Sequence, residues 1–231
     1  MNARLRRATA SDVDTLVEIK RQLMIAPGAT SLSRGGFLLG SSAEKYAFFV
    51  EKAHVLLLEG DGRALGFSVT LPDAVLRESD LWQRREHISF DDVLGSSPDD
   101  ASLFAEILSG RIGYFEQLAL LPIAPLRLYA PAFALCAALD LLDSGHRHLF
   151  ATVVSAPVAN LAPLPFLRII GARKLGSIAE DYPEVGHITS DLYHLDTARW
   201  NYGVGPDSPL HPLRQRIARM VESLRAPLRW R

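Results

Sequence analysis

The segment Tyr114 to Phe133, YFEQLALLPIAPLRLYAPAF, constrains this chain more than any other. An apolar strand-like run, FEQLALL, meets Pro122 and a short loop. The loop ends in Arg127-Leu128-Tyr129-Ala130-Pro131-Ala132, and an apolar helix follows at once. A strand, a tight loop and a helix N-terminus form a geometry that receives pyrophosphate. The helix start offers N–H groups without intrahelical partners and the positive end of its dipole. Small residues at Ala130 and Ala132 let a ligand approach the backbone closely. The segment therefore predicts a site for a phosphate-bearing cofactor.

Composition narrows the class. With 231 residues, 48% of them hydrophobic, the chain can bury one sizeable core, or one core with an elaboration. Charged residues make up 22% and the net charge is −1, which gives no general argument for disorder or for nucleic-acid binding. The single cysteine, Cys136, excludes an intrachain disulfide and any multi-cysteine metal site. It lies in the helical run Phe133 to Leu139 and reads as a small core residue. Charges at Arg4, Arg6, Arg7, Asp12 and Asp14 break any secretory leader pattern. Leu149 to Leu167 carries no charge, but Pro157, Pro163, Pro165 and Asn160 argue for strand, loop and helix rather than a membrane span. A cytoplasmic location is the default expectation.

Along the chain, Arg4 to Ala8 reads as a strand, and Ala10-Ser11-Asp12 opens a helix with the stripe Val13, Leu16, Val17, Ile19 and Leu23. A Gly/Ser-rich loop spans Ala26 to Ser42, with a second helix from about Ser42. His54 to Leu58 and Ala64 to Leu71 form a hairpin about Gly60-Asp61-Gly62. Pro72 to Gly110, with mixed charge, Trp82, Phe90 and a Ser-Ser-Pro-Asp-Asp loop, reads as an insertion, a wall or lid or mere surface decoration. After the central strand and helix come a strand at His148 to Val154 and a helix at Pro163 to Ile170, ended by Gly171. Strands at Ala172 to Ile178 and Asp191 to Leu195 follow. The order β, α, α, β-hairpin, insertion, β, α, β, α, β, β predicts a mixed sheet with helices on its faces.

This order, with two motifs, resembles the GNAT superfamily, the Gcn5-related N-acetyltransferases. The first motif is Phe115 to Pro122, similar to the family's central strand. It leads into Arg127-x-x-Ala130-x-Ala132, a weakened form of its Gln/Arg-x-x-Gly-x-Gly/Ala loop. The second is Asn160-x-x-Pro163-x-x-Phe166-Leu167-x-x-x-Gly171-Ala172, whose spacing from Asn160 to Gly171 matches without a gap. The resemblance covers Arg4 to Leu195. It implies an α+β, mixed α/β fold with a central, mostly antiparallel sheet and helices on both faces. Residues 1–200 would form one acyltransferase domain with the insertion 72–110, and 201–231 a C-terminal extension. The chain also departs from the pattern. Alanines replace glycines at Ala130 and Ala132, and Pro131 removes one N–H, although proline suits a first helical turn. Leu167 stands where many members carry a tyrosine general acid, and Tyr129 is the conceivable stand-in.

The resemblance further implies acyl transfer from acetyl-CoA, or a longer acyl-CoA, to an amine, small-molecule or peptide, with no metal. Leu120 would offer a backbone N–H to the developing oxyanion. Leu118, Leu120, Arg127, Leu128, Tyr129, Ala130, Ala132 and Asn160 would hold the cofactor. Glu116 is the candidate base: an acid in an apolar strand, whose burial would raise its pKa. The competing reading is a solvent-facing carboxylate paired with a Lys or Arg. Arg127 is a bidentate phosphate donor or a surface loop arginine. Asn160 contacts the pantetheine arm, caps the next turn, or does both.

Other polar groups carry less. His146 and His148 at a helix end serve its dipole or solvent, and no spacing among the histidines supports a metal site. Asp91-Asp92 and Asp99-Asp100 read as solvated loop charges or selectors of a cationic amine. From Leu210 to Arg231 there are six arginines and one acid, net +5 against −1 for the chain, so the rest carries −6. Leu210, Leu213, Ile217, Met220, Val221 and Leu224 stripe this segment as a helix docked on its own domain or on a partner subunit, a homodimer included. Neither nucleic acid nor membrane is the expected partner. The rivals to an enzyme are a non-catalytic CoA-binding domain of the same fold and an interaction module with a basic tail.

Overall fold

The computed structural model describes residues 3–25, 31–32, 35–90, 105, 107–182, 185–197 and 211–226. Asp91, Asp92, Asp99 and Asp100, and residues 201–210 and 227–231 of the C-terminal segment, lie outside them.

An eight-stranded sheet is ordered β1-β3-β4-β6-β7-β10-β9-β5. β1 is Ala3–Arg7, β3 His54–Gly60, β4 Arg63–Leu71, β5 Ile88–Phe90, β6 Ile112–Leu120, β7 His148–Ala156, β9 Arg173–Tyr182 and β10 Gly186–Asp196. A second, two-stranded parallel sheet joins β2 (Ser31–Leu32) to β8 (Ala159–Asn160). The large sheet is antiparallel except where β6 meets β7. The hairpin forms as expected, with Asp61 at φ 51° and Gly62 at φ 80°, the paired positive values of a two-residue turn. β9 and β10 run well past their expected ends. Polar residues such as Glu180, Asp181 and His187 line their outer parts and disguise a solvated hairpin as loop.

Helices cover both faces, sorted by the alternation of the strands. α1 (Val13–Gln22) and α2 (Ala43–Lys52) pack on one face, where Leu16, Ile19, Tyr46 and Phe49 meet Val55, Leu57, Phe67, Val69 and Tyr114. The insertion adds α3 (Asp73–Arg77) and α4 (Asp80–Gln83) to that face, then places β5 on the outer edge of β9. The opposite face holds α5 (Ala130–Asp143), flanked by α6 (Leu164–Ile170) and α7 (His211–Arg225). There Leu5, Leu56, Leu58 and Leu65 meet Phe133 and Ala137 of α5 and Ile217, Val221 and Leu224 of α7. The basic helix thus docks through its apolar stripe on this domain's own core. α5 lies so close to β6 that a Cβ on Gly113 would sit 2.7 Å from Leu141 Cδ1.

His146 serves the end of α5 from a buried position rather than from solvent. It is buried, its Nε2 accepts from the Asp73 amide at 2.9 Å, and its Nδ1 lies 3.0 Å from the Leu141 carbonyl. It ties the start of the insertion to the end of α5. Cys136 is fully buried, and burial pushes its thiol up to about 12. Among the described residues no helix is long and apolar enough to cross a membrane.

Candidate active site

β6 and β7 pair over only four rungs, from Ile112↔His148 to Phe115↔Ala151. Both strands then continue apart, β6 to Leu120 beside β4 and β7 to Ala156 beside β10. The result is a wedge between two strands that are each held on their far side. The Leu121 amide donates to the Leu65 carbonyl at 2.9 Å, toward β4. By strand alternation the amides of Leu120 and Leu118 point to the other edge, into the wedge. These are the two residues from which backbone donors are expected.

Glu116 stands at the mouth of this wedge, on a β-bulge. The register on β4 passes from Val69↔Gln117 to Thr70↔Phe115, so Glu116 is the extra residue. A bulge re-aims a side chain, and such irregularities gather near active sites. Glu116 Oε1 lies 3.8 Å from Lys45 Nζ and 3.5 Å from Gln117 Nε2, with its side chain 20% exposed. The carboxylate therefore keeps the lysine partner of the competing reading, but at the wedge and mostly enclosed.

The groups around Glu116 come from α1 and α2. Tyr46 donates its hydroxyl proton to Gln117 Oε1 at 2.8 Å. Lys20 is buried at 5% exposure, donates to Ser41 Oγ at 2.7 Å, and stands 4.8 Å over the Phe37 ring. Burial pushes its ammonium down to about 8; Lys45 acts in the same direction and Glu116 opposes. Burial also holds the Tyr46 and Tyr114 hydroxyls well above the usual phenol range, with the charge of Glu116 adding to both. Tyr114 shares a hydrogen bond of 2.5 Å with Thr152 across β6 and β7. Sequence reasoning passed over Lys20, Lys45, Tyr46 and Tyr114. One signal was available: Lys20 interrupts the apolar stripe of α1 between Ile19 and Leu23, where a surface lysine would not fall.

On the opposite face the expected loop is a 3-10 helix, Ala124–Leu128, which runs through Tyr129 into α5. Leu126 anchors it at 1% exposure, its amide donating to Ile123 at 2.9 Å. Arg127 and Leu128 are exposed, and Arg127 makes no ion pair among the described residues. Tyr129, Ala130 and Pro131 are half-buried. Ala130 opens the helix, where an N–H has no intrahelical acceptor. Ala132 is fully enclosed in the α5 core, where its small size serves close packing.

Asn160 belongs to β8, beside Leu32, and its Oδ1 accepts from the Ala162 amide at 3.3 Å. This is the turn role expected of it, ahead of α6. Leu167 is buried, and Gly171 closes α6 at φ 80°, with the Ala172 amide donating to the Leu167 carbonyl at 2.9 Å. Among the described residues no three His, Cys, Asp or Glu side chains gather as a metal ligand set.

No protein-family model and no curated protein matches this chain. Solved structures do. The ribosomal-protein-S18-alanine N-acetyltransferase from Escherichia coli superposes with a TM-score of 0.55 at 12% identity, covering 89% of this chain and 98% of its own. The protein yncA from Salmonella typhimurium, solved with its cofactor acetyl-CoA, gives 0.54 at 13%, covering 90% and 99%. An acetyltransferase of the GNAT family from Streptococcus pneumoniae gives 0.50 at 18%, covering 84% and 98%. The chain has the GNAT acetyltransferase fold.

Proposed function

We propose that this protein is an acyl-CoA-dependent N-acetyltransferase that moves an acetyl group from acetyl-CoA to an amine by direct attack. The observation that carries the reading is the wedge: inward-facing amides at Leu118 and Leu120 meet a bulged carboxylate at Glu116. The parts suit the co-substrate. Arg127 and the first turn of α5 would hold the pyrophosphate, and the wedge amides with Asn160 would hold the pantetheine arm.

When bound, acetyl-CoA supplies an activated thioester carbonyl. Glu116, directly or through a water, takes the proton of the attacking ammonium or amine. The Leu120 amide donates to the carbonyl oxygen as negative charge develops there. The N–C bond forms, the C–S bond breaks, and the thiolate leaves with the electron pair and is protonated from solvent. Lys45 and Lys20 place positive charge beside the Glu116 carboxylate.

A non-catalytic CoA-binding domain is the second reading, favoured by the absence of a tyrosine at Leu167 and of an N–H at Pro131. Calorimetry with acetyl-CoA, followed by thiol release across an amine panel, separates the two. Saturable binding with amine-dependent CoA release is expected. No binding at high micromolar acetyl-CoA overturns the enzyme reading, and binding without release selects the second.

A further inference from the structure

The insertion does more than decorate the surface. α3, α4 and the residues near Leu108 form a half-open cavity of about 50 Å³ against the sheet, lined by Leu76, Leu81, Trp82, Leu108, Tyr114 and Thr152 among others. Room for one water needs roughly 10–15 Å³ on the same measure, so this space holds several heavy atoms. Its lining is apolar apart from Arg85 and the Tyr114–Thr152 hydroxyl pair, and those groups are already engaged. Tyr114 and Thr152 bond each other, and Arg85 Nη1 donates to the Trp82 carbonyl at 2.8 Å. Trp82 is a fixed wall, packed by the guanidinium groups of Arg77 at 4.7 Å and Arg85 at 4.8 Å. Few hydrogen-bonding groups are left for a polar guest, so the cavity selects an apolar one.

Its position relates it to the chemistry. The cavity lies on the α1–α2 face, opposite the 3-10 helix and α5. Tyr114, one of its walls, precedes Glu116 by two residues of β6, roughly 6–7 Å of strand. An amine nitrogen at Glu116 therefore places the next few carbons of its own chain at the cavity. We infer that the acceptor is a primary amine carrying a short branched or aromatic apolar group, which this cavity receives. The inference rests on the acetyltransferase reading and names the acceptor class for that site.

The test compares 3-methylbutylamine with ethylamine as acceptors of the full chain, with acetyl-CoA saturating. The wild type should favour 3-methylbutylamine by roughly 10- to 100-fold in kcat/KM, the discrimination a few buried methylenes supply. Leu81→Trp, which fills the cavity from the insertion side, should bring the ratio near one while the Kd for acetyl-CoA stays unchanged. Equal use of both amines by the wild type overturns the inference, as does a Leu81→Trp variant that slows both alike. A second measurement needs no turnover and no variant: methyl NMR shifts of Leu76, Leu81, Ile88 and Leu108 on adding 3-methylbutylamine. Shifts confined to these methyls support the cavity as the apolar subsite even where acetyl-CoA fails to bind, which would sink only the transferase reading. Acetyl-CoA binding with no such shifts sinks the cavity claim alone.

Discussion

Lys45 holds its ammonium 3.8 Å from Glu116 Oε1, at the bulge where β6 carries one residue more than β4. The pair is half open on the lysine side, at 51% against 20% for the glutamate. As a structural ion pair it contributes little, about 1 kcal/mol or less. Glu116→Gln should therefore unfold within about 1 kcal/mol of wild type in guanidinium, yet lose roughly 10²-fold or more in kcat for acetyl transfer. Unchanged kcat would leave Glu116 with only its structural role.

Lys20 makes stability depend on alkaline pH. Its folded-state pKa, about 8, lies below the unfolded value near 10.4, so between them the unfolded chain binds more protons. Stability from this group rises with pH across that window and is absent below it. Lys20→Met should remove the rise. The difference in unfolding free energy between wild type and variant, measured at pH 7 and again near pH 10, should shift toward wild type at the higher value. A constant difference would show that the ammonium is not held in a desolvated site.

Arg127 is exposed and free of ion pairs among the described residues, which suits a group reserved for a ligand. Arg127→Glu should leave the melting temperature close to wild type and weaken CoA binding by roughly 10- to 100-fold, the range of a charged hydrogen bond. The defect should shrink as salt rises, because the substituted carboxylate repels phosphate through solvent. Wild-type affinity in the variant would remove Arg127 from the site.

The C-terminal helix tests a different link. Leu224 is 1% exposed and packs with Leu5, Leu56 and Phe133 in one cluster. Leu224→Ala should cost about 2–5 kcal/mol, the usual range for a buried leucine, read from a shifted denaturant midpoint. Exchanging the exposed Arg216 for Ala should cost almost nothing. Equal effects would mean that the helix is held by charge and not by its apolar stripe.

The order of elements was legible because each carries a local pattern: the stripe of α1, the turn at Asp61-Gly62, the stop at Gly171. The backbone donors at Leu118 and Leu120 were legible only through a family resemblance, since the wedge depends on where β6 and β7 cease to pair. That is a property of two strands nearly forty residues apart, and no local pattern records it. The bulge at Glu116 is hidden for the same reason, because it exists only relative to β4. The packing role of Ala132 was hidden because small size serves close packing and ligand approach equally well in sequence. Between residues 72 and 110, short helices and a three-residue strand are too brief to show a period, and their partners, β4 and β6 for α3 and β9 for β5, lie elsewhere in the chain.

The separation of β6 from β7 also gives the sheet a third edge, inside its own span. Outer edges can be guarded by short strands or charge, but an internal one faces only its opposite lip. A ligand that pairs with the Leu118 and Leu120 amides closes this seam as a missing strand would. Binding to the folded chain alone then adds RT ln(1 + [L]/Kd) to stability, about 2.7 kcal/mol at a hundredfold excess over Kd. Ligand supply and the integrity of the sheet become one equilibrium, and the seam is where heat or denaturant should first part the two halves.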